Sequence, residues 1–202
     1  MDLYTVEKVI PKIKSFVQEL FTKRTFPFLK YHNLTHTEKV VERSIEIIKA
    51  SQVPLDERDF FCLLTAAWFH DTGHLFNELK DHEQTGADLM TAFLKSFSID
   101  DLVIGVIAGC ILSTQFPTNP QTTLEQILCD ADTYHFGTKE FLETDPKIYA
   151  EMEERLNIHI ENKTQKSLNL LESHRFYTSY CRDLLEKGKK ENIAYLRRSL
   201  IG

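Results

Sequence analysis

The stretch Phe60–His74, FFCLLTAAWFHDTGH, decides the fold. Ten almost wholly apolar residues, Phe60 to Phe69, run straight into His70-Asp71. A run with no polar face has nothing to offer water, so the pattern predicts a buried helix. It falls well short of the roughly 20 apolar residues that cross a bilayer. The His-Asp pair therefore stands where burial ends. Gly73 follows, a residue suited to the left-handed conformation that closes a helix. An imidazole and a carboxylate at the floor of a buried helix cost free energy unless something pairs with them. A divalent metal would take both as ligands. Alternatively, His70 caps the helix and Asp71 bonds amides in the turn. On this stretch alone both readings stay open.

Outward from it, both flanks read as helix. Leu3, Val6, Val9, Ile10, Ile13, Phe16, Val17 and Leu20 have helical spacing, with Pro11 as a kink or break. In Tyr31–Ala50, Asn33 or Thr35 can cap a helix with inner face Val40, Val41, Ile45 and Ile48, which puts His36 in its first turn. Pro54, Leu55 and Asp56 turn the chain into the central run. Beyond it, Leu75 to Asp81 reads as a polar loop or short turn. His82 then opens a helix that packs Ala87, Leu89, Met90, Phe93 and Leu94. Ser98 to Asp101 starts another apolar helix, LVIGVIAGCILST, where Gly105 and Gly109 would let a neighbour approach closely.

Thr123 to about Phe136 is read as one helix with apolar side Leu124, Ile127, Leu128 and Ala131, closed by Gly137. Asp130 and Asp132 lie in its last turns, where carboxylates oppose the helix dipole and a nearby cation would offset them. From Lys139 to Leu200 the chain is charged and helical. Asp145-Pro146 is expected to start one helix and Gly188 to separate the last two. No alternating strand pattern and no internal repeat appears. The expectation is an all-α fold of roughly eight to ten helices, one domain over residues 1–202.

With 202 residues and 42% hydrophobic content, the chain can build one good core. A net charge of -6 argues against a nucleic-acid polymer or an anionic membrane as partner. A small phosphorylated ligand stays open, because a metal supplies local positive charge. Cys62, Cys110, Cys129 and Cys181 are far apart, form no CxxC and read as core thiols. The N-terminus has no apolar signal region, so a cytoplasmic setting is expected.

His36, His70, Asp71 and Asp132 make a mixed nitrogen and oxygen set. It suits one divalent ion of Mn, Fe, Co, Ni, Zn or Mg, with positions left for water and substrate. Their H…HD…D order resembles the HD-domain metal-dependent phosphohydrolases over about residues 31–137. That resemblance implies an HD-type helical bundle with extra C-terminal helices over about 138–202. It implies His36, His70, Asp71 and Asp132 as metal ligands, with Asp130 competing for the last place. Asp132 is favoured because it aligns with the aspartate of the family's AD pattern. The implied reaction is hydrolysis of a phosphate ester, of a nucleotide or another small phosphorylated molecule, by a water that the metal activates. Whether the ester is a mono- or diester is left open.

Tyr31-His32-Asn33-Leu34-Thr35-His36 further resembles the YHNxxH signature of cyclic-nucleotide phosphodiesterases. By that likeness His32 protonates the leaving oxygen, a role suited to an imidazole. In the implied reaction Asp71 or Asp132 would orient the attacking water. His74 resembles the histidine that follows HD in the same enzymes and would contact water or phosphate. His82 opens HEQTGADL, which resembles the H-x-x-x-G-A helix start of many HD proteins, and would contact phosphate or support a residue that does. Lys80 is the nearest cation and a candidate substrate contact. Members with two or three metals carry histidines in the next helix; here Cys110–Thr114 reads CILST, which favours one ion. His135 could support Asp132 or line the pocket, His159 reads as structural, and the segment His174-Arg175-Phe176-Tyr177-Thr178 could bring a cation to the pocket rim. Two other classes are a non-catalytic metal- and nucleotide-binding signalling module and a plain helical interaction protein. The last sixty residues could complete the bundle or form a homodimer.

Overall fold

Nine α-helices and no strand form among the described residues of a computed structural model, which covers 3–24, 26–51, 54–76 and 80–201, with side chains from residue 7 onward. They are α1 (Leu3–Lys23), α2 (Leu34–Ser51), α3 (Glu57–Phe69), α4 (His82–Lys95), α5 (Asp101–Leu112), α6 (Thr123–Asp132), α7 (Phe141–Leu156), α8 (Lys163–Ser173) and α9 (Ser179–Ile201). Short 3₁₀ turns follow α3 at Thr72–Phe76 and α6 at Tyr134–Gly137. The all-α HD-type bundle expected from the sequence is what forms. None of the described helices is long and apolar enough to cross a membrane.

The apolar run becomes α3, the central helix. The Asp56 carboxylate caps it, accepting from the Asp59 amide at 2.8 Å. Phe61 to Phe69 are all buried, with α1, α2, α5 and α6 packed around them. Complete burial of Phe61 and of Phe69 contributes about 1.5–3 kcal/mol each. α1 lays Val9, Ile13 and Val17 on this core. Pro11 sits on the exposed side of an unbroken helix, while the Leu3 and Val6 side chains lie outside the described residues. In α2 the buried face is Val40, Val41, Ser44 and Ile47; Ile45 and Ile48 flank it. All four cysteines are buried free thiols, as expected.

The glycines depart from expectation. No described glycine has a positive φ, so neither Gly73 nor Gly137 ends its helix in the left-handed conformation. Gly73 serves close approach instead: a Cβ there would stand 2.0 Å from the His82 carbonyl oxygen. This lets α4 begin directly against the turn after α3. Gly188 does not separate two helices. α9 runs through it, because the backbone of Gly137 lies where a Gly188 side chain would be, 2.0 Å from its Cβ position. Among the described residues nothing comes within 4 Å of a Cβ built at Gly105, and the Glu125 carboxylate alone comes near Gly109, so that pair is no packing face there.

The C-terminal region completes the bundle. α6 stops at Asp132 rather than near Phe136; there the Thr133 hydroxyl turns back to the Cys129 carbonyl at 2.7 Å. α7 starts at Phe141, ahead of Asp145-Pro146, because buried Phe141 anchors a tight entry turn with Phe141 N donating to Thr138 O at 3.3 Å. Asp145 instead accepts from the Ser167 hydroxyl of α8 at 2.7 Å. α9 packs on the turn after α6, and its Asn192 amide donates to Phe136 O and Thr138 O, each at 2.9 Å. Part of the expected loop at Leu75–Asp81, residues 77–79, lies outside the described residues.

Candidate metal centre

Three helix ends meet beneath the C-terminus of α3. In the first turn of α2, Asn33 rather than Thr35 caps the helix; its side-chain oxygen accepts from the His36 amide at 3.2 Å. His70 follows α3 and is fully buried. Its Nδ1 donates to Ala67 O at 2.8 Å, which leaves the Nε2 lone pair facing inward. Asp132 is the last residue of α6. His36 Nε2 lies 3.2 Å from Asp71 Oδ2 and 3.1 Å from Asp132 Oδ1. His70 Nε2 lies 3.3 Å and 3.7 Å from the same two oxygens. The two Nε2 atoms are 3.4 Å apart.

This donor set fits a divalent cation. Two imidazole nitrogens and two carboxylate oxygens converge, and the spacing of His36, His70 and Asp132 allows one ion to touch all three. Asp71 Oδ2 is buried and accepts no well-formed hydrogen bond. Without a cation a proton has to take its place. Burial alone would push His36 down, but the close carboxylates of Asp132 and Asp71 outweigh it and raise His36 to about 9. Burial alone would raise the carboxyls; His70 and His36 hold Asp71 well below the usual range, and His36 and His70 hold Asp132 below it. A bound metal would displace that proton.

Asp71 also looks the other way. Its Oδ1 lies 3.9 Å from His74 Nε2 and 3.8 Å from His82 Nε2. The His74 ring stacks between those of His82 and His32, with centroids at 3.8 and 4.1 Å. His32, Asp71 and His74 form a second group with ligand-compatible spacing. Behind it runs α7. Glu151 Oε1 is 2.7 Å from His32 Nδ1, and Glu151 Oε2 accepts from the amides of Tyr31 and His32 at 2.9 and 3.1 Å. Burial would raise Glu151, but the bond from His32 and those two amides hold it below its ordinary range. Four residues on, buried Arg155 pairs with Glu151 at 3.2 Å and donates to His74 Nδ1 at 2.7 Å.

The other sequence candidates have definite places. Asp130 is not at the centre: its carboxylate accepts from the amides of Tyr177 and Thr178 and from the Thr178 hydroxyl, at 2.7–2.8 Å, and so anchors the entry to α9. His135 supports the site, with Nδ1 3.2 Å from the Asp132 carbonyl and 3.1 Å from the Tyr31 hydroxyl. His174 brings no cation to the rim. Burial, with Lys189 beside it, pushes it down to about 3, and its Nε2 lies 3.0 Å from the Thr133 hydroxyl. His159 is exposed and paired with Glu153. His82 faces Glu83 Oε1 at 3.3 Å as well as Asp71. Lys80 is exposed ahead of α4. Glu151 and Arg155 were not singled out by sequence, nor were the cations of a cavity of about 240 Å³ beside His36, Lys30, Lys39, Arg43 and Lys147; Tyr31 was quoted only as part of its motif.

A family model described as HD-CE matches residues 4–104, half of the chain. The chain belongs to the HD-CE family. No curated protein and no solved structure matches it. The HD-CE match takes in α1 to α4 with His36, His70 and Asp71, and ends early in α5. Asp132, Glu151 and Arg155 lie beyond it. The match does not itself carry the phosphodiesterase likeness of Tyr31–His36.

Proposed function

We propose that this HD-CE chain hydrolyses a phosphate ester of a small molecule, a nucleotide or a compound of similar charge. The observation that supports it best is the convergence of His36, His70, Asp71 and Asp132, from α2, the end of α3 and α6, with nitrogen to oxygen separations of 3.1–3.7 Å. A divalent cation held there would supply Lewis-acid charge to a phosphoryl oxygen and lower the pKa of water. The chain's own groups supply the rest. His32, gripped at Nδ1 by Glu151, presents Nε2 as the donor of a proton to the leaving oxygen. Asp71, with one oxygen toward each histidine group, orients the attacking water. The cavity beside His36 is lined by four cations; Lys39 and Arg43 share Glu140 and Lys30 pairs with Glu154, which leaves an excess of positive charge that favours an anionic substrate.

The test is a panel of nucleotides and aryl phosphate esters with metal supplements and phosphate release as readout. Turnover that disappears in Asp71→Ala and Asp132→Ala supports the reading. Metal binding without turnover on any member would favour the signalling module instead.

A further inference from the structure

The second histidine group has the spacing of a metal site, but its protons are wrong for one. The Arg155 side chain is buried, and its Nη1 lies 2.7 Å from His74 Nδ1. A guanidinium carries donors and no acceptor, so Nδ1 must accept. A neutral ring that accepts at Nδ1 carries its proton on Nε2. Titration does not alter this outcome, because a doubly protonated ring also has a proton on Nε2. His70 is the mirror case: its Nδ1 donates to Ala67 O, so its Nε2 offers a lone pair.

His74 Nε2 is buried, points toward Asp71 and has no hydrogen-bond partner among the described residues. A buried N–H left unpaired is costly. We propose that Arg155 makes His74 a fixed Nε2–H donor, so that the space between His74, His32 and Asp71 is a subsite for a phosphoryl oxygen or another tetrahedral oxyanion, not for a second cation. Arg155 is a positioning residue: it acts through His74, and Glu151 neutralises it from one turn away. The choice of a phosphoryl oxygen rests on the phosphohydrolase reading; the position of the proton does not.

The test uses the full-length chain, zinc-supplemented. Long-range nitrogen–proton spectra of the histidine rings, assigned with His74→Gln, read the tautomer directly. The expected result is a proton on His74 Nε2 in the wild type and in Arg155→Lys, whose ammonium also only donates. In Arg155→Gln the amide oxygen can accept from Nδ1, and the ring is free to switch. Zinc content should stay at one ion per wild-type chain and rise in Arg155→Gln. Titration with inorganic phosphate should show about tenfold weaker binding in His74→Gln. A wild-type His74 with its proton on Nδ1, two zinc ions per wild-type chain, or unchanged phosphate affinity in His74→Gln would overturn the proposal. Should the ester panel show no turnover while the tautomer and the phosphate effect hold, the proposed function fails and the subsite stands.

Discussion

Asp71 stands between two groups of histidines that look alike in composition and differ in what lies behind each ring. His36 and His70 face Asp132 and Asp71 from the ends of helices inside the family-matched half, and a backbone carbonyl backs His70. His32 and His74 face the other oxygen of Asp71, and charged side chains of α7 back them both. A carbonyl behind a ring leaves a lone pair in front; a guanidinium behind it leaves a proton in front. What an imidazole presents toward Asp71 thus follows from the group bonded to its far nitrogen.

The largest expected effect comes from the residue the two groups share. Asp71→Ala should abolish bound metal and lower turnover by about 10³ or more, read by metal analysis and phosphate release. Asp132→Ala should remove the metal too, yet leave the His32–His74 pair in place. An Asp132→Ala protein that keeps its metal would move the ion to the second group and erase the distinction between them.

A smaller effect is expected behind His32. Glu151→Gln keeps the shape but loses the carboxylate that orients the ring. Turnover of an alkyl ester should fall about 10- to 100-fold with little change in KM. The loss should shrink for an aryl ester, whose leaving group needs less proton transfer. Equal losses on both esters would make Glu151 a structural residue only.

The smallest effect concerns the support behind Asp132, where His174 meets Thr133. Burial holds His174 at about 3 in the folded chain, against an ordinary 6.5. Between those values the unfolded chain binds a proton that the folded chain does not. Stability from this group is thus complete above about 6.5 and lost as pH falls toward 3. Between pH 7 and pH 5 the cost is about 2 kcal/mol. Thermal melts of the wild type should drop over this interval, and those of His174→Gln should drop less. Parallel melting curves would refute the assignment.

How much of this was legible in the sequence follows from where each signal lives. The apolar run, a cap at Asn33 or Thr35, the turn at Pro54–Asp56 and the order of His36, His70, Asp71 and Asp132 are local signals; they made the helical bundle legible and named four side chains that the fold brings together. Glu151 and Arg155 lie in YAEMEERL, which reads as an ordinary solvent-facing pair four residues apart. Only the packing of α7 across the site buries them. The glycines failed for a related reason. Sequence suggests a helix end at Gly73 and a break at Gly188, whereas what each position requires is room for backbone from a distant part of the chain. Such approach leaves no mark in periodicity.

The central claim is that α2, the end of α3 and α6 hold one cation between them. Anomalous diffraction from crystals grown with manganese or zinc tests it most directly. The account predicts one peak, in contact with His36, His70, Asp71 and Asp132. No peak there, or a peak held by His32 and His74 instead, would contradict it.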